Sequence, residues 1–119
     1  MKQTKHFLAD KTFKFSVRII NMYKHLSDSK KEFILSKQVL RSGTSIGANV
    51  EEASSASSKR DFINKYHIAL KEAKETHYWL RLLHETEFID KTSFESISKD
   101  CEEIISLLTK SLITAKSKE

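Results

Sequence analysis

No proline interrupts the 119 residues of this chain, and its only two glycines, Gly43 and Gly47, stand four positions apart. Tight turns draw on these two residue types, so an all-β fold is excluded and long uninterrupted helices are favoured. The stretch that holds both glycines, "RSGTSIGANVEEA", carries no charge between Arg41 and Glu51. On a helix of 3.6 residues per turn, Gly43 and Gly47 share an apolar arc with Leu35, Val39, Ile46, Val50 and Ala53. Each glycine costs about 1 kcal/mol of helix propensity. Their place within the arc points to a close helix crossing, where a side chain would hold the neighbour away.

Four helical segments follow from the apolar spacing, at about 5–27, 30–56, 59–87 and 91–115. In the first, Leu8, Phe15, Ile19, Met22 and Leu26 recur at helical intervals, and Ala9, Phe13, Val17 and Ile20 widen that face. Ser29 is the expected cap of the second. Ser58 with Asp61 forms a capping-box-like start for the third. There Phe62, Tyr66, Ala69, Ala73, Thr76, Leu80 and Leu83 alternate in steps of four and three, the rhythm of a bundle seam. Asp90, or Thr92 with Glu95, opens the fourth, whose seam is Phe94, Ile97, Cys101, Ile104 and Leu108; "TAKSKE" is expected to fray. Short connections between long helices make neighbours antiparallel. The expected fold is all-α: a single up-down-up-down four-helix bundle.

A second apolar patch, Ile68, Tyr78, Trp79 and Leu82, lies on the other side of the third helix. One buried face does not account for it, so Tyr78, Trp79 and Leu82 are candidate oligomer contacts.

The net charge of +5 is localised. Residues 1–28 carry six Lys/Arg against two Asp, whereas the rest of the chain is nearly balanced. Lys11, Lys14 and Arg18, with Asn21 and His25, recur on the face of the first helix opposite its apolar one. Arg41, Lys59 and Arg60 add cations elsewhere. Such a stripe binds nucleic-acid phosphates by charge; the plainer reading is a solvated helix face.

Motifs for chemistry are missing. Lys74 and Arg81 stand three residues before His77 and His84, where a Glu-x-x-His metal site needs glutamates. "HETEF" ends in Phe88 where a zinc helix needs its second histidine. His77 and His84 are expected as hydrogen-bonded core or interface histidines. Gly43-x-x-x-Gly47 lacks the Gly-Lys-Ser/Thr ending of a phosphate loop. The single cysteine, Cys101, sits at a seam position, where it reads as a small core residue and fits a reducing compartment. No apolar run reaches the roughly 20 residues of a membrane span, and no signal-peptide pattern opens the chain. A cytoplasmic, non-enzymatic protein without metal or cofactor is expected.

The motif stretch and its flanks carry a resemblance. Arg41, Ser42, Ser45, Ile46, Ala48, Asn49, Val50, Glu52 and Ala53, then Lys59, Asp61 and Phe62, resemble the hallmark of bacterial four-helix-bundle proteins encoded in intervening sequences of 23S ribosomal RNA genes. The similarity spans about Phe13 to Leu112, with Ala53 where many members carry glycine. A related protein is the accessory protein of diversity-generating retroelements, a basic homopentameric ring that binds nucleic acid and a reverse transcriptase. The resemblance implies self-association, a pentamer foremost, with RNA or DNA as a further partner. A reverse-transcriptase partner enters by analogy alone. The alternative is a protein-interaction adaptor without nucleic-acid binding.

Overall fold

The computed structural model describes residues 2–117, with side chains from residue 6 onward. Four helices, α1 (Lys2–Asp28), α2 (Leu35–Ala53), α3 (Lys59–Glu85) and α4 (Lys91–Ser117), follow one another through short connections. A 27-residue helix at 1.5 Å per residue is about 40 Å long, which sets the long dimension of a molecule measuring 47 × 22 × 19 Å. Successive helices pack side by side, α4 closes on α1, and among the described residues the backbones of the diagonal pairs stay apart, joined only through the core between them. The chain is an antiparallel four-helix bundle. The α1–α4 seam is much the thinnest of the four.

The core runs the length of the rod. Leu8, Phe15, Ile19 and Leu26 of α1 meet Val39, Ile46 and Val50 of α2, Tyr66, Ala73, Leu80 and Leu83 of α3, and Cys101, Ile104 and Leu108 of α4. The α3 rhythm of fours and threes is buried from Tyr66 to Leu83, with Phe62 half-buried against the Tyr66 ring at 4.4 Å. Thr12 is fully buried in α1, its hydroxyl donating to the Leu8 carbonyl at 2.7 Å.

Phe13, Val17 and Ile20 do not widen the core face. They are 65%, 43% and 38% exposed. At 100° per residue they lie beyond Ser16 and point away from the bundle axis.

Helix ends separate local capping from longer reach. Ser58 accepts from the Asp61 amide at 3.0 Å, and Asp90 accepts from the Ser93 amide at 2.7 Å, so both helices start at their capping side chains. The second helix starts at Leu35, not near Lys30, and Ser29 does not cap it. Lys31 takes φ 57°, which breaks any helix through it. The Glu32 carboxylate instead accepts from the amides of Ile34, Leu35 and Ser36 at 3.2, 3.0 and 2.7 Å. A carboxylate near a helix start satisfies free amides and favours the positive end of the helix dipole. The α4 helix continues through Ser117; Lys118 and Glu119 lie outside the described residues.

Candidate functional site

The α1–α2 crossing is built on the glycines. A Cβ on Gly43 would come within 2.8 Å of Ile19 Cγ1, and one on Gly47 within 3.3 Å of both the Ser16 hydroxyl and the Thr12 carbonyl oxygen. Both glycines are buried, both lie within regular helix, and neither has a positive φ. Close approach, not a turn, is what their missing side chains permit.

The cations of α1 do not form one solvated stripe. Lys11 Nζ lies 2.8 Å from Glu103 Oε2, its side chain only 18% exposed. Arg18 Nη1 lies 2.6 Å from Asp100 Oδ2, while Nη2 donates to the Ser96 hydroxyl at 2.9 Å. These residues sit on the flank of α1 that adjoins α4, where their stems cover the core edge and their heads meet carboxylates. Of Lys11, Lys14 and Arg18, only Lys14 points outward, pairing with Asp10 one turn earlier at 3.1 Å. Arg41 is likewise committed. It donates to Glu72 at 3.0 Å and binds Glu75, tying α2 to α3. Lys59 and Arg60, at the start of α3, are exposed and have no ion pair among the described residues.

Of the α3 patch, Tyr78 is 50% and Ile68 37% exposed, and Leu82 is half-buried. Trp79 packs against the core, and its indole N–H donates to Glu75 at 3.0 Å. It therefore belongs mainly to the α2–α3 boundary, with the Tyr78 ring edge-on to it at 5.3 Å. The outward surface of α3 is thus Ile68, Tyr78 and Leu82. The matching surface of α1, Phe13, Val17 and Ile20, was hidden in the sequence because those residues adjoin core positions.

The titratable side chains inside the bundle have structural partners. His77 Nε2 lies 3.0 Å from the Ser98 hydroxyl, which itself donates to Glu102 at 3.2 Å. His84 stacks on Phe94 at 4.5 Å. The Cys101 thiol donates to the Ala73 carbonyl at 3.3 Å. Burial, with the nearby Glu102 and Asp100 carboxylates, pushes its pKa up to about 12, far from the thiolate a nucleophile needs. Among the described residues no group of His, Cys, Asp or Glu is arranged to hold a metal ion. None of the described helices is long and apolar enough to cross a membrane. A cleft of about 720 Å³ at the α3–α4 turn mixes Arg18, Lys30 and Lys91 with Glu87 and Asp90, so it selects neither sign of charge.

The described fold has a counterpart among solved structures. It is similar to the crystal structure of a protein of unknown function from the S23 ribosomal protein family of Bacteroides thetaiotaomicron VPI-5482. The two share 54% identity over 92% of this chain and 97% of that one, with a TM-score of 0.90. No curated protein shows comparable similarity. Residues 5–110 match the family model of the 23S rRNA-intervening sequence protein. With nearly the whole bundle inside that match, the chain belongs to the 23S rRNA-intervening sequence protein family.

Proposed function

We propose that this protein acts by assembly rather than catalysis: a bundle that associates with copies of itself. The observation that carries the reading is the outward apolar surface of α1, where Phe13, Val17 and Ile20 stand in water in the single chain. Contiguous exposed apolar side chains on a monomer mark interaction sites. The resemblance to a ring-forming relative favours a homopentamer. Sedimentation velocity at micromolar concentration tests this; a dominant monomer there removes the proposal.

A nucleic-acid role is the second part of the reading, resting on Lys14, Lys59 and Arg60. In an assembly these exposed cations repeat in every copy, and repetition strengthens weak attraction through avidity. Lys11 and Arg18 are poor probes of it. Reversing their charge would set carboxylates against Glu103 and Asp100 and damage the bundle itself. The informative variant is Lys59→Glu/Arg60→Glu, assayed by filter retention of random RNA and DNA at low salt. Retention that falls steeply with salt and is lost in the variant supports phosphate contact. Wild-type protein that retains neither polymer leaves the protein-interaction adaptor as the better reading.

A further inference from the structure

A groove of about 550 Å³ opens at the end of the bundle where α1 starts, α2 ends and α3 begins. We propose that it binds a small organic ammonium, a primary amine on an aromatic or branched aliphatic body, with the head at Glu51 and Tyr66. The inference is independent of self-association and of nucleic-acid contact.

The groove holds an unanswered hydroxyl. Tyr66 is 2% exposed, and its oxygen has no hydrogen-bond partner among the described residues. Buried tyrosines ordinarily find one. Among the described residues, the fully enclosed side-chain polar atom without a partner is Ser27 Oγ. The Tyr66 oxygen is therefore open, and this groove is where the residue meets open space. Burial raises the pKa of the phenol, so it stays neutral, able both to donate and to accept. Ala9, Val50 and Phe62 supply apolar wall beside it. Water can satisfy the hydroxyl but leaves that wall wet; a ligand with an apolar body and a polar head answers both. The volume lies in the range of small-molecule sites.

Three features select a cation. Glu51 stands on the rim, exposed, with no ion pair among the described residues. Its neighbour Glu52, by contrast, holds Lys65 at 2.9 Å. The last turn of α2 contains no basic residue to answer the negative end of the helix dipole. Among the described lining residues none is Lys or Arg, unlike the cleft at the α3–α4 turn. The positive start of α3 lies nearby, but its own residues already answer it: the Asp61 amide donates to Ser58 at 3.0 Å and the Ser57 amide to the Asp61 carboxylate at 3.4 Å. An ammonium in the groove meets the Glu51 carboxylate, the Tyr66 oxygen as acceptor and the electron-rich rings of Tyr66 and Phe62. One carboxylate and one phenol make no metal site.

Titration calorimetry of the full chain at neutral pH with phenethylamine, 2-phenylethanol and phenylacetate tests this, since the three share a body and differ in the head. The amine is expected to bind most tightly and phenylacetate least. Glu51→Gln should weaken the amine about three- to fivefold, the range of an exposed ion pair, and leave the alcohol unchanged. Tyr66→Phe should weaken amine and alcohol alike, by about five- to tenfold. That variant should melt no lower than wild type, because the hydroxyl it removes has no partner in the fold. Amide NMR shifts induced by the amine should cluster at Ala9, Glu51 and Tyr66. An alcohol that binds as tightly as the amine, an amine indifferent to either variant, or shifts centred on Phe88 overturns the proposal. So does the lack of amine binding at about 10 mM, the weakest expected of a ligand this size. A Tyr66→Phe variant that melts below wild type shows that the hydroxyl serves the fold, and the proposal falls with it.

Discussion

A Cβ on Gly43 would stand 2.8 Å from Cγ1 of Ile19 and 2.9 Å from its Cγ2. Ile19 is fully buried, and its β-branch is stiff, so neither carbon swings aside easily. Gly43→Ala is therefore expected to destabilise the bundle by about 1–3 kcal/mol through overpacking, although alanine is the better helix former. Gly47→Ala meets only 3.3 Å contacts and should cost less. Combining Gly43→Ala with Ile19→Ala should cost less than the sum of the two, because the new methyl enters vacated space. Urea denaturation of the wild type and these four variants measures this. A Gly43→Ala variant as stable as wild type would end the close-crossing account.

Ser42 and Thr76 share a hydrogen bond of 2.9 Å inside the α2–α3 seam, both fully buried. Thr76 Oγ1 also lies 2.8 Å from the Glu72 carbonyl oxygen, so the hydroxyls form a short chain ending on the backbone. Thr76→Val removes that exit and strands the Ser42 hydroxyl, at an expected cost of about 1–3 kcal/mol. Ser42→Ala together with Thr76→Val removes both polar groups and should recover most of the loss. A double variant as unstable as Thr76→Val alone would show that packing, not the unpaired hydroxyl, sets the cost.

Glu32 gives the start of α2 a pH dependence. Burial works to raise its pKa, but the amides of Leu35, Ser36 and Ile34 donate to the carboxylate and hold it below the ordinary value of 4.5. A carboxyl depressed in the folded state contributes stability above its unfolded pKa and loses it as pH falls through the folded one. Glu32→Ala should therefore be less stable than wild type at neutral pH, by about 1 kcal/mol on the scale of helix caps. The gap should narrow as pH falls below the ordinary glutamate value. Thermal melts at neutral and acidic pH decide it, and a gap that widens on acidification contradicts the capping role.

Lys31 and Glu87 turn the chain with φ of 57° and 67°, in the left-handed region that glycine adopts freely. Both of the chain's glycines are held in the α1–α2 crossing, so these turns use residues that carry a Cβ. Lys31→Gly and Glu87→Gly are each expected to raise stability by up to about 1 kcal/mol, the left-handed penalty less the entropy glycine gains when unfolded. A lower melting temperature for both would show that the side chains matter more than the dihedral.

What the sequence made legible follows the range of each interaction. The α3 seam, the Ser58 cap and the Asp90 cap depend on residues within a turn or two of each other, and periodicity displays them. Glu32 escaped because its carboxylate serves a helix that begins three residues later, after a left-handed Lys31 that no residue type announced. Arg18 and Asp100 lie 82 positions apart, so one helix read alone made Arg18 look free. Phe13, Val17 and Ile20 are as apolar as the core beside them, and only the placement of α2 and α4 shows that they face outward.

The thin α1–α4 seam has a consequence for the order of folding. The other three seams join helices adjacent in the chain, where closing a short loop costs little entropy. This one joins the two ends of the molecule, and Lys11–Glu103 and Arg18–Asp100 span it. Local contacts form early and distant ones late, so the α2–α3 hairpin is the expected nucleus and the meeting of the outer helices the closing event. The same seam is the expected first to part. α1 and α4 can swing open like covers while each helix keeps its own backbone hydrogen bonds, and water reaches the core before any turn of helix has unwound.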